Sequence, residues 1–196
     1  MNQLTREIIV TKISEGEKRF SNSNLAGLDL SFLDLSQLQL RCSSLVGADL
    51  SGSLLVSSNL DSVDLSGASL VLANGRGANF RAANLSMVNG RLANLSLTFL
   101  SGSDLTGIDL TGGTLAGGNL SYVTFIKANM VGVELSGADL NHANMQQANL
   151  LGANLQSANL RNANLQGANR RGVDLSEANL TNKKQLSSSY HHINKR

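Results

Sequence analysis

The residues able to do chemistry are few and poorly placed for it. Carboxylates recur at Asp29, Asp49, Asp64, Asp109 and Asp139, a residue type that performs general acid–base work when positioned against a substrate proton. Each holds the same place in a five-residue unit where Asn stands elsewhere, as at Asn79, Asn144 and Asn154. A place that accepts Asn does not require charge. Side-chain bonding to the turn backbone accounts for both residue types. His142 lies alone in a turn, and His191 and His192 lack further ligands at a metal-binding spacing. The single Cys42 forms no internal disulfide and suggests a reducing compartment. The serines are scattered through outward positions, and no Ser-His-Asp or Cys-His arrangement is present. Gly112-Gly113 and Gly117-Gly118 lack the lysine and the strand–loop–helix setting of a phosphate loop. No catalytic, metal or cofactor site is expected, and the chain reads as a non-enzyme.

The elements that would carry any site follow from a strict period of five. From Phe20 to Leu180, Leu, Phe or Met occupies 30 of the 33 residue numbers divisible by five; Gly75, Gly90 and Arg170 are the exceptions. Two residues earlier stands a small or apolar set that includes Ala48, Ala68, Ala138, Ala148 and Ala158. Positions two apart in extended chain point to one side, so both sets face inward. The three residues to the next inward position leave room for a corner, and Gly67, Gly137, Gly152 and Gly167 fall there, where positive φ is cheap. Each unit is thus a very short strand and a turn. One unit cannot bury its apolar face alone, so a short period in fixed register predicts an all-β solenoid.

The tandem units GANLQSANLRNANLQGAN and SGADLNHANMQQANLLGANL closely resemble the pentapeptide-repeat family. The resemblance covers roughly residues 18–182. It implies a right-handed, four-sided parallel β-helix with twenty residues per coil, about eight coils, and a rod of roughly 40 Å at the usual strand spacing. Units of this style after a segment ending in EGEKRF also resemble those abundant in cyanobacteria.

The ends depart from the period. Leu4, Ile8, Ile9, Val10 and Ile13 form a crude helical stripe closed by Gly16, which predicts an N-terminal helical cap over 1–17. Residues 183–196, with Leu186, Tyr190 and Ile193 at helical spacing, read as a C-terminal cap or tail. Solenoid ends expose unpaired strands, so capping is the first expectation and dimerisation through an end the second. No apolar run is long enough to span a membrane and no signal-peptide core is present, so a soluble, cytoplasmic protein is expected.

The net charge of +2 is uneven: −3 over residues 20–182, +1 over the first 19 and +4 over the last 14. The basic tail reads as a solvated terminus, and no direct nucleic-acid contact is expected. Some members of the resembled family look like duplex DNA and protect type II topoisomerases such as DNA gyrase. Such mimicry copies regularly spaced phosphates and needs a continuous acidic surface. Here Arg41, Arg81 and Arg161 fall on one side of the four-sided arrangement, and Arg76, Arg91 and Lys127 interrupt others.

Irregularities in a regular scaffold are where function is sought. Gly75 and Gly90 replace core leucines on adjacent sides of consecutive coils, leaving gaps that Phe80 could fill. Arg170 takes a core place in the last coil on its side, where its head group would escape through the open end or pair with the tail. The outward positions Val71, Leu72, Met87, Leu92, Leu97 and Phe99 are unusually apolar. They form the candidate interaction surface; alternatively Leu72 or Leu92 turns inward to fill the glycine gaps. The expected function is a rigid scaffold for a protein partner, with the protein itself a monomer or homodimer; protection of a topoisomerase is the runner-up.

Overall fold

In most repeat units every backbone N–H is committed, and this commitment sets the architecture. In the unit Asp49–Ser53, Leu50 N–H donates to Ser69 O one coil later (2.8 Å) and Gly52 N–H to Val71 O (2.8 Å). Asp49 N–H reaches back to Leu28 O (2.9 Å), and Ser53 N–H closes the turn on Leu50 O (3.1 Å). The remaining donor, Ser51 N–H, has no backbone partner and goes to the Asp49 carboxylate (2.9 Å). The same side-chain bond recurs at Asn79 to Arg81, Asn94 to Ser96 and Asn154 to Gln156. A buried or crowded donor left unpaired is costly, so Asp and Asn serve equally well, as the sequence pattern implies.

The computed structural model describes residues 4–180. Parallel bridges join each residue before the central leucine to its counterpart twenty residues on. The first side runs from Arg19 to Asn179, the second from Asn24 to Asn164, the third from Asp29 to Asn169 and the fourth from Asp34 to Asp174. Twenty residues hold four units, so each coil has four sides. Inside lie the leucines and the small residues two places before them, from Phe20 through Leu165, nearly free of solvent except at Ser23, Leu28 and Leu33 in the first coil, which are half-buried. Buried Ser58 and Thr98, at small-residue places, donate to the carbonyls of Leu55 and Leu95.

Helix α1, Arg6–Ser14, precedes the first coil. Thr5 caps it by accepting from Ile8 N–H (3.4 Å), with Glu7 in the first turn and Lys12 in the last, as the helix dipole favours. Ile9 is buried in the core, with Leu4 and Ile13 packed against it. Arg6 fastens the helix by donating to Asp29 O (2.7 Å), Asp29 Oδ1 (2.9 Å) and Ser31 O (3.0 Å).

The missing core leucines are replaced from the next coil. The place a Cβ would take at Gly75 lies 2.9 Å from Leu95 Cδ2 and 3.6 Å from the Phe80 ring. The corresponding place at Gly90 lies 2.9 Å from Leu110 Cδ2. Leu72 and Leu92 point outward and fill neither gap. Restoring the consensus by Gly75→Leu therefore overpacks the interior. We expect a loss of about 1–3 kcal/mol in urea denaturation; a gain would show that the gap is empty.

Candidate functional site

Each corner is a two-residue turn whose second residue lies in the left-handed region. Gly52, Gly112 and Gly132 show φ of 64°, 67° and 62° there. With the preceding residue at negative φ and a bond across the turn, this is the type II geometry, which favours Gly or Asn at that place. Large residues occupy the same place at Phe32 (57°), Leu72 (59°), Met87 (59°), Leu92 (58°), Leu97 (58°) and Tyr122 (59°). A residue with a Cβ is strained by roughly 1–2 kcal/mol in this region. Val, Ile and Thr, the most constrained, are absent from it among the described residues.

Phe32, Met87, Leu92 and Leu97 lean toward the following coil, where the residue twenty places on is glycine; Leu72 is followed there by Leu92 and Tyr122 by His142. A Cβ built at Gly52 would meet the Phe32 ring at 2.5 Å. One at Gly107 would meet Met87 Sδ at 2.6 Å, one at Gly112 Leu92 Cδ2 at 2.9 Å, and one at Gly117 Leu97 Cδ2 at 2.8 Å. The strained side chain and the bare glycine twenty residues later form one feature.

The twenty-residue register divides the candidate residues among three edges of the rod. Val71, Leu72 and Leu92 share the edge between the third and fourth sides, with Phe32 below and Val131 and Leu151 above. Phe32 is 79% exposed, Leu72 60% and Leu92 57%. Met87 stands on the preceding edge. Leu97 stands on the following edge with Phe99 beside it on the first side, where the Arg81 guanidinium covers the Phe99 ring at 4.6 Å. The six residues therefore girdle the rod rather than form one face. Phe32, Val131 and Leu151, which the four-sided register of the sequence already sets beside Leu72, complete the third-edge group.

His142 is not isolated. Its ring stacks on Tyr122 at 4.8 Å between centroids and 4° between planes, and its Nε2 lies 3.2 Å from Asn162 Nδ2. No group of three or more His, Cys, Asp or Glu able to hold a metal occurs among the described residues. Arg170 is half-buried at the last described rung of the third side, and the residues one coil above it lie outside the described range. The histidine pair at 191 and 192 and the tail 183–196 lie there too. No helix among the described residues is long and apolar enough to cross a membrane.

The comparisons agree with this geometry. A family model for pentapeptide repeats matches eight copies, over residues 19–56, 58–95, 76–112, 119–156 and 143–182. The chain belongs to the pentapeptide-repeat family. No curated protein sequence matches it significantly. Among solved structures it is similar to HetL, a pentapeptide-repeat protein involved in heterocyst differentiation regulation in the cyanobacterium Nostoc sp. strain PCC 7120. That match has 28% identity over 90% of this chain and 95% of the other, with a TM-score of 0.48. A trypsin-treated variant of QnrB1, a plasmid-mediated fluoroquinolone resistance protein, matches at 18% identity over 76% and 89%, with a TM-score of 0.44. A pentapeptide-repeat protein of the Arabidopsis thaliana thylakoid lumen matches at 23% identity over 65% and 72%, with a TM-score of 0.34.

Two outcomes follow for this member of the family. Leu72→Gly and Leu92→Gly relieve positive-φ strain that the fold itself does not need. Thermal melting should show each variant no less stable than the parent, with gains of up to about 1 kcal/mol. The repeat carboxylates supply a pH dependence. At Asp29, Asp34 and Asp174, bonds from the serine hydroxyl and N–H two residues on hold the carboxyl below its usual range. A depressed folded pKa gives stability that is present above the unfolded value of about 4 and lost as pH falls through the lower folded value. Stability should therefore decline below about pH 4, and Asp34→Asn, which keeps the acceptor without the charge, should flatten that decline.

Proposed function

We propose that the protein is a non-enzymatic interaction module that presents a stiff repeat surface to a protein partner. On this reading the rod is a right-handed β-helix of about eight coils over residues 18–182. Helix α1, within the segment 1–17, caps one end. The observation that carries the reading is the retention of Leu72 and Leu92, apolar and exposed, at backbone positions where glycine is easier and where neither supports the core. Exposed apolar residues grouped in this way mark partner surfaces, and a rigid ladder loses little ordering entropy on binding. A filled interior offers no pocket of the kind enzymes use.

The topoisomerase-protecting alternative fits less well. The column Arg41, Asp61, Arg81 and Arg161 on the first side mixes signs, and Arg41 pairs with Asp61 at 2.8 Å. A duplex mimic would need this column to be continuously acidic.

The test is capture of partners from source-cell extract with the wild type and Leu92→Asp, both checked for equal melting temperature. We expect Leu92→Asp to abolish a specific capture that the wild type supports. Equal capture by both proteins would move the site away from this edge. Protection of DNA gyrase from a quinolone by the wild type would restore the mimicry reading.

A further inference from the structure

At its positive-φ places the third edge carries its bulky residues in one half, with Gly52 among them, and only glycines in the other. Its positive-φ places read Phe32, Gly52, Leu72 and Leu92 in the first four coils, then Gly112, Gly132, Gly152 and Gly172 in the last four. A Cβ built at Gly132 or Gly152 meets nothing within 4 Å, so these places are open. Such an edge is complementary to its own inverse. We propose that the protein forms an antiparallel homodimer along this edge, with the two-fold axis passing between the levels of Leu92 and Gly112. This rests on the reading of the edge as a docking surface and names a second copy as its occupant.

The twenty-residue register fixes which groups meet. The rotation sets the eight levels of one copy against all eight of the other in reverse order. Leu72 faces the partner's Gly132, and Phe32 faces the partner's Gly172. At the axis Leu92, leaning toward Gly112, packs beside the partner's Leu92. Val71 meets the partner's Val131. Leu151 meets the partner's Gly52, where the ring of the partner's Phe32 already lies.

Charge agrees with this register. Arg91 is 3.7 Å from its own Asp109 and also faces the partner's Asp109 near the axis, so two arginines alternate with two carboxylates. Arg171, at the glycine end, is brought to the ring of the partner's Phe32, in reach of a cation–π contact. Two like-charge meetings, Asp34 with the partner's Asp174 and Arg6, held on Ser31 O, with the partner's Arg171, fall at the solvated rim, where screening makes them weak. A parallel arrangement would instead set bulky residues against bulky residues and leave the glycine half uncovered. Closed two-fold pairing is also the commonest form of self-association. The stripe from Phe32 to Gly172 is about 34 Å long at roughly 4.8 Å per coil. A contact between two rod edges lies at the small end of stable interfaces, so dissociation constants of about 10–100 µM are expected.

Sedimentation equilibrium from low to high micromolar concentration tests the assembly on the wild type and Gly132→Lys. Lys127 already occupies the equivalent backbone place at φ 57°, so the lysine is compatible with the fold. We expect a reversible dimer in the wild type and at least ~10-fold weaker association in the variant. The register is tested independently in a Cys42→Ser background. Leu72→Cys with Gly132→Cys should give a reducible covalent dimer on mild oxidation, and Leu72→Cys alone should not. A wild type that stays monomeric throughout overturns the homodimer. A dimer indifferent to Gly132→Lys, or one that the cysteine pair fails to trap, overturns this register. If Gly132→Lys fails to fold, the cysteine pair decides. Neither failure touches the proposed module, whose own test, Leu92-dependent capture of a different protein, is read at submicromolar concentration where the chain is monomeric either way.

Discussion

Each corner of the rod requires one residue at positive φ, and the rest of the structure is arranged around that requirement. With the second turn residue in the left-handed region, the chain bends sharply enough for four short strands to close a coil of twenty residues. The bend leaves one N–H per unit without a backbone acceptor, and where Asp or Asn stands two places earlier its side chain commonly supplies one, as Asp49 does for Ser51. The ladder uses three of the other four and the turn itself the fourth, and proline is absent from the chain. β-Branched residues are displaced by one place: Val46, Val71, Ile126 and Val131 all stand first in their turns, where φ is negative.

The same bend explains how the interior tolerates defects. Since every coil repeats the path of the one before, each inward side chain sits directly over its counterpart. When Gly75 and Gly90 withdraw theirs, Leu95 and Leu110 on the next level already lie within contact distance. The loss is absorbed along the side on which it occurs, with the neighbouring Phe80 ring closing the remainder at Gly75. Coupling in a solenoid runs to the nearest repeat, so two departures on adjacent sides leave the bridges above and below intact.

The fold was highly legible from the sequence because its period reports a physical necessity: one large inward residue per side, from Phe20 onward. The number of sides was not in that period. It came from family resemblance, and the structure supplies it through bridges of twenty residues. The grouping of surface residues was less legible. Val71 to Phe99 is a short window of sequence, but each unit advances a quarter turn around the rod, so Met87, Leu92 and Leu97 end on three different edges. Residues far apart in sequence do share the third edge, Phe32 with Leu72 and Leu151 with Val71, because each pair differs by a multiple of twenty, and this part of the grouping follows from the four-sided register. His142 looked solitary for the same reason, its stacking partner Tyr122 being twenty residues away. Leu72 and Leu92 could have been inward or outward on composition alone; positive φ and the leaning of Leu92 over Gly112 decide that they are outward.

Strain without structural return is the strongest pointer to function in a scaffold this regular. Glycine holds the strained corner at many levels, and the third edge uses it at each of its last four. Retaining Phe32, Leu72 and Leu92 on that same edge costs backbone energy and exposes apolar surface, and the core gains no packing from them. Under the proposed function, strain that carries an exposed apolar side chain, unlike that at Gln37 or Ala82, is rewarded by something outside the fold. With the interior filled by leucines and alanines, that reward is sought at the surface, and an edge that changes from largely protruding to bare along its length offers a shape that another rigid surface can match.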